Sequence, residues 1–338
     1  MLSEEKLLAR LEPPVGRKVR MVLDTDTFNE EDDQFALAYS ALAHMRGRIT
    51  LEAVYAAPFT RPDVTDPAEG MELSFGEIHH ILSLLGMDDG RFPVLRGATR
   101  YLGGAGPDWC PDWQAIVRGE PQRIPPVTAP LEPADSPAVR DLIARALASP
   151  DDDPLYVCAI GCATNVASAL LAEPRIAEKI VVIFLGGCDL SWKDCVEYNL
   201  RQDVPAGRVL LSCGVPLVLI PTNKTSRLLC TSVWELEHFL GASPVGRYLT
   251  GIVAGKLRAS APALPDGVEY AASKIIWDIA APAALLHPEF MDSVLAPAPT
   301  VTDDLRWAPG PDGHPIRVID FIRRDAVFTD FFGEMKNA

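Results

Sequence analysis

Short apolar runs alternate with amphipathic stretches along most of this chain. Runs of strand length occupy Val19 to Asp24, Ile49 to Ala57, Pro93 to Arg96, Pro154 to Gly161, Lys179 to Gly187 and Val215 to Ile220. Between them, helical periodicity covers Asp32 to about Met45, Glu69 to Leu85, Asp135 to Ser149, and a stretch from Thr164-Asn165 to about Ala172. Runs apolar on both faces fit strands covered on both sides, and regular alternation with helices predicts a parallel sheet. The expected class is α/β, a mostly parallel open sheet flanked by helices with a Rossmann-like core. No repeat or linker divides residues 1–338, so one domain is expected, with 1–18 as an N-terminal extension. Residues 100–137, rich in Gly and Pro and holding Trp109 and Trp113, read as a long irregular excursion of the kind that forms lids or interfaces. The tail from Val318 to Phe332 is expected to close the fold as a strand and a helix.

The chemistry concentrates where the first run ends. Asp24 and Asp26 close a strand, and Asp32 and Asp33 open the next helix, so four acids gather near the carboxyl end of a buried strand. Crowded carboxylates take up protons or hold a cation, and a hard, oxygen-seeking ion fits them. Calcium is preferred over magnesium because several carboxylates suit its high coordination number. The same acids also read as first-turn and strand-end residues favoured by the helix dipole and by turns. Far along the chain, Trp277-Asp278 opens another apolar helix. In open α/β sheets the strand carboxyl ends form the ligand crevice, so Asp278 can return to the first cluster there.

Charge and cysteine content narrow the partners. A net charge of −15, from 31 basic and 46 acidic residues, argues against a nucleic-acid backbone or an anionic membrane. The opening residues lack an apolar signal core, and no apolar run reaches membrane-spanning length. Seven scattered cysteines fit reduced thiols, and the expected location is cytoplasmic. Cys158 and Cys162 flank a strand end without nearby histidines and read as core-filling, not as zinc ligands.

Five segments, LDTDTFNEEDD, IGCATNVASALL, VVIFLGG, VEYNLRQDV and WDIAAPAAL, stand in an order and spacing that resembles the inosine-uridine-preferring nucleoside hydrolases over roughly residues 19–290. The resemblance implies a calcium ion held by Asp26, Asp33, the main-chain carbonyl of Thr164, and Asp278. It further implies that Asp26 takes a proton from a calcium-bound water, that Asp32 grips the ribose hydroxyls with Asn199 beside it, and that Glu197 contacts the 5′-hydroxyl. Hydrolysis of the N-glycosidic bond of a ribonucleoside or related ribosyl compound follows as the expected activity. Its oxocarbenium-like transition state needs negative charge beside the ring and a poised nucleophile. A homo-oligomer, dimer or tetramer, is also implied.

The departures from that pattern are specific. Five residues separate Asp26 from Asp32, two more than the family's usual loop, and Thr27 to Glu31 replaces its Pro-Gly turn. Ala56-Ala57-Pro58 stands where an asparagine would reach the ribose, and another asparagine is missing near Ser191. Trp277 replaces a histidine that protonates the departing base; it can stack on a base or simply pack in the core. Asp189, Trp192 and Lys193 lie in a segment expected near the base. Two alternatives remain: a non-catalytic or weakly active, metal-dependent ribosyl-binding relative, and a haloacid-dehalogenase-type phosphatase suggested by Asp24-Thr25-Asp26.

Overall fold

Twelve strands occur in the computed structural model, which describes residues 2–103, 130–262 and 271–336. In chain order they are β1 (Arg20–Thr25), β2 (Thr50–Ala56), β3 (Val94–Arg96), β4 (Leu155–Ala159), β5 (Ile180–Leu185), β6 (Leu217–Ile220), β7 (Cys230–Ser232), β8 (Ser273–Ile275), β9 (Met291–Pro297), β10 (Pro299–Val301), β11 (Trp307–Pro309) and β12 (Pro315–Ile322). Eight form one sheet in the order β3-β2-β1-β4-β5-β6-β12-β9. All neighbours run parallel except β9, which pairs antiparallel with β12 at the edge. The remaining four make two short antiparallel ribbons, β7 with β8 and β10 with β11.

Period-two alternation explains why the central strands are apolar throughout. Met21 and Leu23 face one core with Cys158, Val181 and Ile183, while Val22 faces the other with Val157, Val182 and Phe184. Helices Asp33–Met45, Pro67–Leu84, Ala280–Leu286 and Arg324–Met335 cover the first face. Helices Pro137–Ala148, Thr164–Ala172 and Val204–Ser212 cover the second. Truncating a wholly buried leucine such as Leu23 to alanine costs about 2–5 kcal/mol at such positions.

The expected elements form within a few residues of their predicted bounds. Ser136 caps the helix at Pro137, accepting from the Val139 N–H at 3.2 Å, as the Ser-Pro signal implies. The closing strand begins at Pro315 and its helix runs Arg324–Met335. The N-terminal extension holds a helix, Glu4–Leu11, whose Leu7 and Leu11 are buried. The body of the predicted excursion, 104–129, with Trp109 and Trp113, lies outside the described residues. Cys158 and Cys162 are buried free thiols, as their core reading required.

Topology places the site. From β1 the chain builds β2 and β3 on one side, then returns to lay β4, β5 and β6 on the other. The strand order therefore reverses between β1 and β4, where connections leave in opposite directions and a crevice opens at the strand carboxyl ends.

Candidate active site

β1 delivers Asp26 to that crevice, and the helix beginning at Asp33 starts beside it. Asp32 occupies the helix N-cap, yet its side chain makes no capping hydrogen bond. Its carboxylate is thus not explained by capping. Asp33 accepts from the Thr25 hydroxyl at 2.5 Å, which orients it towards the strand end. Asp278 arrives from the single 3₁₀ turn Trp277–Ile279, where no side chain caps the N-terminus. Carboxylate oxygens of Asp32, Asp33 and Asp278 lie within 4.8 Å of one another. Asp33 is also in hydrogen-bonding contact with both Asp278 and Asp26.

Gly161 permits this crowding. A Cβ there would fall 2.9 Å from Asp26 Oδ1 and 3.1 Å from the Asp26 main-chain nitrogen. Only glycine lets the turn after β4 lie against the Asp26 carboxylate.

The four acids are buried, none more than 3% exposed. Burial pushes Asp26 up to about 7, with Asp32 adding repulsion while Asn29 opposes it. Burial likewise lifts Asp32 to about 8 against the pull of Lys274. Asp33 and Asp278 are held well above the usual carboxylate range, first by burial and then by neighbouring aspartates. Four buried acids against one nearby ammonium have the chemistry of a divalent-cation cradle. The donor set is all oxygen, which fits a hard ion such as calcium.

Supporting contacts come from residues that the sequence reading did not assign. Asn29, in the lengthened loop, donates to Asp26 Oδ2 at 2.7 Å, and Tyr198 Oη lies 2.7 Å from Asn29 Oδ1. Arg61 donates to the carbonyls of Phe28 and Asn29 at 2.7 and 2.9 Å. Lys274 lies 2.8 Å from Glu30 and 3.5 Å from Glu31. Asp24, by contrast, is expected in the acidic cluster but lies outside the cavity lining, where it accepts from Asn165 Nδ2 at 2.7 Å. Asp203 accepts from the Thr164 hydroxyl at 2.6 Å and the Leu102 N–H at 2.7 Å. The loop residues carried no recognisable spacing, and Asp203 and Asn165 look like ordinary helix-end residues until the fold joins them.

A cavity of about 290 Å³ opens above the cluster. Asp26, Asp32, Asp33, Asp278, Glu197, Asn199 and Trp277 all line it. Glu197 accepts from the Gly187, Leu200 and Asn199 N–H groups at 2.7, 2.9 and 3.1 Å, which locks its carboxylate in place. Asn199 donates to the carbonyls of Ile160 and Leu185 at 2.7 and 3.0 Å, leaving its oxygen as an acceptor. Trp277 is half-buried, packing against the core, which is one expectation for it, and also forming part of the cavity wall. Thr164, expected to offer its carbonyl to the ion, is wholly buried, absent from the lining, and has its hydroxyl committed to Asp203; Ile160, at the end of β4, lines the cavity instead. Asp189, Trp192 and Lys193, expected near the base, are not among the lining residues; Asp189 pairs with Lys224 at 2.8 Å, and Thr222 and Asn223 stand in the wall instead. The phosphatase alternative also fails here, because its nucleophile, Asp24, is fully buried behind the wall.

Comparison with known proteins agrees with this architecture. The pyrimidine-specific ribonucleoside hydrolase RihB of Escherichia coli O1:K1 is 30% identical over 142 residues, 40% of this chain and 45% of that protein. The alignment thus spans less than half the length of the curated relative. Among solved structures, the purine-preferring ribonucleoside hydrolase from Gardnerella vaginalis superposes with a TM-score of 0.69 at 20% identity, covering 94% of this chain and all of that one. The plant nucleoside hydrolase PpNRh1 gives 0.68 at 17%, covering 95% and 100%. The type III effector protein XopQ, solved with adenosine diphosphate ribose, gives 0.62 at 18%, covering 100% and 99%. At these identities the superpositions speak for the fold. Residues 21–306 match the family described as inosine-uridine preferring nucleoside hydrolase, and the chain belongs to that family.

Proposed function

We propose that the protein hydrolyses the N-glycosidic bond of a ribonucleoside or related ribosyl compound in a calcium-dependent reaction. The observation that carries this reading is the convergence of four buried carboxylates, from two distant parts of the chain, in one cavity with Glu197 and Asn199. Asp26, Asp33 and Asp278 would hold the ion, with Asp32 beside them. Bound there, calcium would neutralise the cluster, chelate the sugar diol and acidify a water.

The protein's own residues account for the rest. Asp26 accepts the proton of the attacking water, and the Asn29 amide on its Oδ2 leaves Oδ1 for that contact. Asp32, released from helix capping, accepts from the ribose hydroxyls, and Asn199 offers its oxygen beside it. Glu197, fixed by three N–H groups, faces the 5′ end. Buried carboxylates around the ring stabilise positive charge as it develops on the sugar.

Release of free ribose from a panel of purine and pyrimidine nucleosides, with calcium and then with chelator, tests the reading. Calcium-dependent release is expected. One observation favours a second reading, a ribosyl-binding protein without turnover: Ala56-Ala57-Pro58 stands where the family resemblance implies a ribose-contacting asparagine. Calcium-dependent binding of nucleosides with no ribose released would select that alternative.

A further inference from the structure

Asn29, in the lengthened loop, has its backbone tied on both sides. Its N–H donates to the Asp26 carbonyl at 2.7 Å, closing a tight turn, and its own carbonyl accepts from Arg61 at 2.9 Å. The side-chain amide is the part left to turn. An amide presents donors on one side and an acceptor on the other, so its orientation decides what Asp26 meets. With Nδ2 forward, Asn29 donates to Asp26 Oδ2 at 2.7 Å. With Oδ1 forward, it would set one acceptor against another.

A chain of hydrogen bonds fixes that orientation, starting from a main-chain donor that cannot be reversed. The Thr60 N–H, past the end of β2, can only donate, and it meets Gln202 Oε1 at 3.1 Å. Gln202 Nε2 must then face the Thr60 carbonyl, to which it donates at 2.9 Å. Both residues are buried, so this starting point is shielded from water. The Tyr198 hydroxyl has one proton and two carbonyls in reach, Asn29 Oδ1 at 2.7 Å and Thr60 at 2.8 Å. Since Gln202 already supplies Thr60, the tyrosine proton is freed for Asn29. Asn29 Oδ1 is held by it, and Nδ2 is turned onto Asp26. A Pro-Gly turn offers no side-chain amide at this place; the longer turn brings one to the carboxylate.

We propose that Tyr198 and Gln202 are positioning residues for the proton acceptor of the reaction. Through Asn29 they hold Asp26 Oδ2 and leave Oδ1 to take the proton of the attacking water. The proposal rests on the hydrolase reading. Tyr198 lines the cavity, but its part in the reaction runs through Asn29 and not through the sugar. A carboxylate aimed in advance loses less to reorientation when the water is deprotonated, so the chain acts on kcat.

The test is a double-mutant cycle on ribose release, run at calcium concentrations that saturate each variant, with the nucleoside that the wild type turns over fastest. Tyr198→Phe removes one oxygen and keeps the ring. It should lower kcat about tenfold while KM changes less than about twofold. Asn29→Ala should do the same, and the double variant should be no slower than Asn29→Ala alone, because both changes break one chain. Gln202→Met takes the donor from the Thr60 carbonyl and lets it compete for the tyrosine proton. It should lower kcat about threefold, and not at all when Tyr198 is already phenylalanine. Undiminished kcat in Tyr198→Phe, a loss carried by KM, or losses that multiply in the double variant would overturn the proposal and leave the hydrolase reading standing. If the wild type releases ribose from no nucleoside of the panel, the hydrolase reading falls and the proposal with it.

Discussion

An aspartate at a helix N-cap ordinarily accepts from the first-turn N–H groups, and Asp32 does not. The missing cap leaves the Asp32 carboxylate to the cavity it lines. Its neighbours behave consistently: Asp33 is oriented by Thr25 and Asp26 by Asn29. Asp33→Ala or Asp278→Ala should abolish calcium binding in titration calorimetry, since each removes one of a few charged ligands. Unchanged affinity in both variants would refute the site. Asp26→Asn should lower kcat by about 10²–10⁴ while the melting temperature changes little, because the amide keeps the shape but loses the basicity. Gly161→Ala drives a methyl group to within 2.9 Å of Asp26 Oδ1, so ribose release and calcium affinity should both fall. A fully active Gly161→Ala enzyme would show that the approach of this turn to Asp26 is dispensable.

At the scale of elements, the lengthened loop between Asp26 and Asp32 is clamped from three sides. Arg61 holds its carbonyls, Tyr198 meets Asn29, and Lys274 meets Glu30 and Glu31. Arg61→Ala should therefore weaken calcium binding several-fold, because the loop would then be ordered at the expense of binding energy. A different device docks the C-terminal helix. Asp330 accepts from Arg48 Nη1 at 3.0 Å and lies 3.0 Å from His287 Nε2, with Tyr39 also donating. Although burial opposes it, Tyr39 and Arg48 hold the Asp330 carboxyl below its ordinary value. A depressed folded-state value means stability present above the unfolded pKa and lost as pH falls through the folded one. Asp330→Asn should thus cost about 1–2 kcal/mol near neutrality, and the difference from wild type should vanish in acid denaturation profiles.

Across the whole molecule, the sheet and the acidic cluster are linked, because Asp26, Asp32 and Asp33 follow β1 at the strand-order reversal. Calcium at about a hundredfold over its Kd should stabilise the fold by about 2.7 kcal/mol, a rise of about 4 °C in Tm that chelator reverses. Binding should also release protons, since burial raises these carboxyls towards neutrality when no cation is held. Calorimetry in buffers of different ionisation enthalpy reads that release, and a buffer-independent enthalpy would contradict it.

The sequence by itself determined the α/β class and the positions of the central strands, while the family resemblance implied the meeting of Asp26, Asp33 and Asp278, which line one cavity. Those features rest on local periodicity and on motifs whose residues are neighbours or fall at characteristic strand ends. The edge strand β9, the two small ribbons, and the clamp of Arg61, Tyr198 and Lys274 on the loop were decided only by the tertiary structure. Asp24 is the clearest case: two residues from Asp26 and identical in kind, it points to Asn165 and leaves the cavity wall to its neighbour. Residues two apart on a strand share a face, but Asp26 lies past the end of β1, where the chain turns and that rule no longer holds. The partner of Asp24 comes from more than a hundred residues away, and no local pattern encodes it.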